Sequence, residues 1–175
     1  YVPGSGKFEQ KDLYIKDGKL VKSFPEKESQ IRVINASGCY VTKGLVDYHV
    51  HYFEGGADNG VNPDVASFPN GVTTAVDGGT CGVSCFDIFK KSVMDRVDVE
   101  LYAQLLVGSS GQLSENSTER IEAEQIEEER ILEMFERYPQ KLVGLKTRLS
   151  ANVFGNPKKA RKSIEKTVEI ADRLG

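Results

Sequence analysis

From about residue 42 onward the sequence alternates short β-type runs with helical ones, and this alternation limits the fold more tightly than any other feature. Leu45 to His51 is apolar and alternating, and Gly71 to Asp77 is β-branched and ends in Gly78-Gly79. Val97 to Val107 and Lys141 to Lys146 are two further strand candidates. Between and after them lie helical segments at Cys85 to Met94, at a glutamate-rich stretch from Thr118 to Tyr138, and at Pro157 to Leu174. The last has Asn156 as N-cap and Pro157 at its first position, with Ala160, Ile164, Val168 and Ala171 along one expected apolar face. Strands alternating with helices imply an α/β fold, a parallel sheet covered by helices. Four such units fill residues 42–175.

Residues 1–41 follow another pattern. Asp12 to Lys16 and Lys19 to Ser23 are joined by Asp17-Gly18, the signature of a type I′ hairpin. A third β-type run, Gln30 to Ile34, precedes an Asn35-Ala36-Ser37-Gly38 turn. These segments predict a small antiparallel sheet.

Composition excludes several classes of function. A formal charge of −3 offers no attraction to a polyanion, so nucleic acid is not an expected partner. No apolar stretch is long enough to span a bilayer, and Tyr1-Val2-Pro3-Gly4 lacks the basic-then-apolar order of a secretory leader. Cys39, Cys81 and Cys85 show no zinc-finger spacing and cannot all pair within one chain, so reduced thiols and a cytoplasmic location are expected. With no initiator methionine, the chain is expected to start within a longer protein.

The chemistry concentrates at predicted strand ends. The only two histidines, His49 and His51, stand two residues apart, so a strand turns both to one face roughly 7 Å apart along it. Two imidazoles so placed can converge on one metal ion. Lys146 ends the fourth strand, and the carboxyl ends of strands are where α/β sheets and (β/α)8 barrels carry their ligands. An ammonium cannot ligate a cation. A neutral amine held beside one, however, can add carbon dioxide and become a carbamate with two oxygens. Asp77 is open to two readings, a contact with the site or a cap of the following loop. Cys81 and Cys85 read as buried or loop thiols, and the glutamates from Glu115 to Glu136 as a solvated helix face balanced by Arg120 and Arg130.

Four stretches together resemble the amidohydrolase superfamily of metal-dependent hydrolases, in particular its deacetylase and dihydroorotase-like branch. They are Gly44-Leu45-Val46-Asp47-Tyr48-His49-Val50-His51, Gly71 to Thr80, Val143-Gly144-Leu145-Lys146-Thr147-Arg148 and the hairpin Tyr14 to Leu20. The resemblance implies the first half of a (β/α)8 TIM barrel preceded by part of a small β-sandwich. It further implies two divalent metal ions, zinc by preference, with His49 and His51 on one and carboxylated Lys146 bridging to the second. Such a centre generates a metal-bridging hydroxide that attacks the acyl carbon of a small amide or ester. The family's two later histidines and its general-base aspartate would lie beyond residue 175, so no catalytic residue is assigned on this chain.

A full barrel needs about 250 residues, so the expected partners are the C-terminal half of the barrel, a small-molecule substrate and further copies in a homo-oligomer. Residues 1–175 alone are expected to show no turnover. Where dihydroorotases carry a substrate-binding arginine this chain has Phe53, which argues against dihydroorotate; Arg148, on the face of Lys146, is the candidate anchor for an anionic substrate. The alternative to an enzyme is a catalytically inactive, amidohydrolase-like scaffold or assembly protein.

Overall fold

The computed structural model describes residues 6–24, 31–114, 119, 121–150 and 153–175. The chain divides into two compact units, Tyr1–Lys43 and Gly44–Gly175. In the first, strands β1 (Tyr14–Lys16) and β2 (Lys19–Val21) pair antiparallel with Lys16 opposite Lys19. Asp17 at φ 50° and Gly18 at φ 72° form the connection, the two positive φ angles that a type I′ turn demands. Residues 31–34 do not form the expected third strand, and residue 30 lies outside the described residues.

The second unit is a four-stranded parallel sheet in the order β3 (Leu45–Val50), β4 (Val72–Asp77), β5 (Glu100–Leu106) and β6 (Leu142–Lys146). Helices α1 (Pro63–Ser67), α2 (Phe86–Phe89, continued by a π turn to Met94), α3 (Glu128–Arg137) and α4 (Pro157–Leu174) connect and follow the strands. Consecutive strands are neighbours, the pattern of successive βα units. Ala75, Leu101, Ala103, Leu105, Phe86, Phe89, Ile131 and Ile170 form the centre of the core, each at most 1% exposed. The edge strand β3 differs: Leu45, Val46 and Tyr48 are all more than half exposed. Among the described residues no helix is long and apolar enough to cross a membrane.

Helix α1 is not among the expected helices, and two others depart from the sequence pattern. The glutamate-rich helix is confined to α3, because Ile121 and Ile126 turn inward to the core and the segment between them makes only a short 3-10 turn, Ala123–Gln125; residues 115–118 and 120 lie outside the described residues. Helix α4 starts as expected, Asn156 Oδ1 accepting from Lys158 N at 2.9 Å, but buries another face. Ser163, Thr167 and Ile170 are enclosed while Ile164 and Val168 are 39% and 52% exposed. Ser163 Oγ donates to the Ile121 carbonyl at 2.5 Å and Thr167 Oγ1 to the Ser163 carbonyl at 2.7 Å, so polar groups on this face are satisfied inside. Satisfied hydroxyls can be buried, a possibility that hydrophobic periodicity does not register.

Candidate metal centre

The end of β3 delivers the histidine pair. Its pairing with β4 slips between Asp47 and Val50, where three steps along β3 match two along β4. His49 N donates to the Asp47 carboxylate at 3.1 Å across this irregularity. The two imidazoles lean together, with ring centroids 5.5 Å apart and planes at 64°. Beyond His51 the chain dives into the core: Tyr52 and Phe53 are each 5% exposed, Tyr52 Oη bonds Ser67 Oγ at 2.9 Å, and Phe53 packs on Phe89. The strand end is thereby fixed from behind. Phe53 is a core residue, so the residue type that replaced the dihydroorotase arginine serves packing.

Asp77 at the end of β4 is fully buried and is the hub of the loop that follows. Its Oδ1 accepts from Gly79 N at 3.1 Å and Thr80 N at 2.7 Å; its Oδ2 accepts from Tyr52 N and from Thr80 Oγ1, both at 2.9 Å. Thr80 Oγ1 in turn lies 2.7 Å from His51 Nδ1. Asp77 thus caps its loop, and through Thr80 it also reaches the candidate ligand His51.

Gly78 and Gly79 form the floor of the site. A β-carbon on Gly78 would stand 2.3 Å from His49 Cδ2 and 2.7 Å from its Nε2. One on Gly79, whose φ is +86°, would stand 2.6 Å from Lys146 Cβ. The histidine and the lysine thus lie against adjacent glycines, with no side chain between them and the backbone. The lysine's own carbonyl accepts from Val107 N at 2.9 Å, which ties the β6 end to β5.

Arg148 follows on the same side, engaged with a residue that the sequence pattern had placed on a solvated helix face. Its Nη1 lies 3.0 Å from Glu119 Oε1 and its Nε donates to Ser150 Oγ at 3.3 Å. The Glu119 side chain is only 4% exposed. Burial pushes the Glu119 carboxyl up from its ordinary value, opposed first by Arg148 and then by Lys146. Burial also lowers the proton affinity of His51; His49, Lys146 and Arg148 act in the same direction and Asp77 against it. Glu119 Oε2, Gln112 Nε2 and Thr147 Oγ1 are buried and have no hydrogen-bond partner among the described residues. Elsewhere, Cys81 and Cys85 are free, buried thiols and Cys39 is free and exposed.

The structure thus brings His49, His51, Lys146 and Arg148 into one neighbourhood. Sequence reasoning overlooked Thr80, Gln112 and Glu119. A signal for Thr80 was present: a strand-end aspartate followed by two glycines and a hydroxyl residue has the composition of a side-chain-capped loop. Nothing local marked Glu119, one glutamate in a run of them. Among the described residues no group of three or more His, Cys, Asp or Glu side chains is arranged to hold a metal ion; the histidines supply a pair.

A parallel sheet of consecutive βα units, with potential ligands at the strand ends above a glycine floor, fits a segment of a (β/α)8 barrel, with the candidate residues at the face where such barrels carry their sites. No family model matches the chain. A deacetylase of Agrobacterium fabrum is 32% identical over 161 residues, which are 88% of this chain and 40% of the relative. A solved dihydroorotase superposes with a TM-score of 0.71 at 32% identity, covering 75% of this chain and 41% of that one. A solved adenine deaminase shares the fold, with a TM-score of 0.75 at 22% identity, covering 93% of this chain and 43% of that one. The chain is thus similar to enzymes of the amidohydrolase superfamily, and it spans about 40% of the length of the relatives it matches.

Proposed function

We propose that this chain provides part of the active site of a metal-dependent amidohydrolase that cleaves the acyl C–N bond, or the corresponding ester, of a small molecule. The observation that carries the reading is the convergence of His49 and His51 beside Lys146 over Gly78-Gly79. The donor set fits a divalent metal of the zinc type: two imidazoles, one with Nδ1 already engaged and Nε2 left for ligation, and an amine within reach of carbon dioxide. His49 and His51 would hold the first ion, and Lys146 as a carbamate would bridge to the second. Bound there, the ions supply Lewis-acid polarisation of a carbonyl and a lowered pKa for water.

The remaining roles fall to the chain's own residues. Carbamate formation joins the neutral Lys146 Nζ to the carbon of carbon dioxide and releases one proton. Arg148, anchored through Nε and Nη1 to Ser150 and Glu119, retains further N–H donors for a substrate carboxylate or carbonyl oxygen. The remaining ligands and a general base would come from the rest of a complete barrel, so the segment is assigned the first metal's histidines and not the proton transfer.

The test is zinc content of the whole protein together with the 13C signal of a carbamate after equilibration with labelled bicarbonate. Two ions per site and a carbamate resonance lost in Lys146→Ala are expected. A protein without bound metal or carbamate would instead fit a catalytically inactive scaffold.

A further inference from the structure

Thr80 has one proton to give and two neighbours that bear on it. Its hydroxyl, buried with no exposure, lies 2.9 Å from Asp77 Oδ2 and 2.7 Å from His51 Nδ1. Asp77 already accepts three backbone N–H bonds, from Tyr52, Gly79 and Thr80, distributed over both oxygens. A carboxylate committed in this way can only accept, so the threonine proton goes to Asp77 and the threonine lone pair must take a proton from His51. Neutral His51 is then protonated on Nδ1 and carries its lone pair on Nε2. A histidine free in water favours the opposite tautomer, with the proton on Nε2.

The same aspartate also fixes where the imidazole stands. Asp77 Oδ2 holds the backbone N–H of Tyr52, the residue after His51, and the Thr80 carbonyl accepts from Gln112 N at 2.7 Å. Asp77 therefore bears on His51 twice, on the ring through Thr80 and on the backbone through Tyr52 N. We propose that Thr80 is a positioning residue that relays Asp77 to His51, locking the Nδ1–H tautomer so that Nε2 is presented to a divalent metal ion. This rests on the metal-site reading given above. Hydrogen bonds of this kind to the non-ligating nitrogen commonly change metal affinity by about 10- to 100-fold.

Two-bond 1H–15N correlation spectra of the whole, 15N-histidine-labelled, metal-free protein at about pH 8, above the ordinary imidazole range, report the tautomer directly. The expected wild-type spectrum shows His51 as Nδ1–H. In Thr80→Val, which keeps the side-chain shape, the Nε2–H form should appear and the zinc dissociation constant rise by about 10- to 100-fold; Thr80→Ser should restore both. Wild-type His51 found as Nε2–H overturns the relay without need of any variant, so a Thr80→Val protein that fails to fold does not protect it. Zinc binding equal in wild type, Thr80→Val and Thr80→Ser also overturns it. A wild type with the Nδ1–H tautomer but no zinc affinity overturns the metal-site reading instead.

Discussion

The ends of β4 and β6 meet over Gly78-Gly79, yet the polar groups at the two ends are treated in opposite ways. At the β4 end Asp77 is sealed in and fully used, with four donors on two oxygens and Thr80 passing the bond on to His51. At the β6 end Arg148 holds Glu119 by one oxygen, while Glu119 Oε2, Gln112 Nε2 and Thr147 Oγ1 are buried with no partner among the described residues. A satisfied buried network is rigid, whereas unsatisfied buried groups cost free energy until something meets them. In the proposed centre the histidine side would thus be built in advance by this segment. The lysine side carries polar capacity that no described residue uses.

The largest test of the contrast is Asp77→Asn. An amide in place of the carboxylate sets an N–H2 group against at least one of the N–H and O–H donors now bound, and removes the charge that strengthens all four bonds. Urea denaturation of the whole protein should show a loss on the order of 3 kcal/mol, with zinc affinity falling alongside. A loss below about 1 kcal/mol, the size of one ordinary hydrogen bond, would mean that the β4 end is no better organised than the β6 end.

Next in size come the glycines, which separate the two ends by what each substitution moves. Gly79→Ala combines a β-carbon 2.6 Å from Lys146 Cβ with φ +86°, a conformation that costs an alanine about 1–2 kcal/mol, so both stability and the lysine's placement should suffer. Gly78→Ala meets first the imidazole of His49. That ring is on an exposed residue and can swing away, so stability should change by less than about 1 kcal/mol, while zinc affinity measured by chelator competition falls about tenfold or more. Equal losses of stability in the two variants would break the distinction.

The contrast also explains what could be read from the sequence. The βα alternation, the hairpin and the positions of His49, His51 and Lys146 depend on local periodicity and turn chemistry, which a chain displays openly. The buried face of α4 was misread because Ser163 and Thr167 look polar until a carbonyl such as that of Ile121 is brought to them by the fold. Glu119 was hidden for the same reason: its burial depends on Arg148, twenty-nine positions later in the sequence and on another strand's end. Thr80 lay inside a quoted motif, but its role needed the position of His51 in three dimensions.

The smallest expected effect, Glu119→Gln, tests the β6 end directly. Burial raises the folded-state pKa of Glu119 above the ordinary value of 4.5, with Arg148 and then Lys146 resisting. Between 4.5 and that raised value the folded state binds more protons than the unfolded state, so the stability that Glu119 contributes is fully present below the window and lost as pH rises through it. Glutamine keeps an acceptor for Arg148 and does not titrate. Comparing urea midpoints at about pH 4 and about pH 7, the variant should show a smaller decline than wild type, and Arg148, whose side chain is 31% exposed, keeps its charge solvated. If the variant instead loses more stability at the higher pH, the ionised carboxylate is a partner that Arg148 requires, and the β6 end is as fully satisfied as the β4 end.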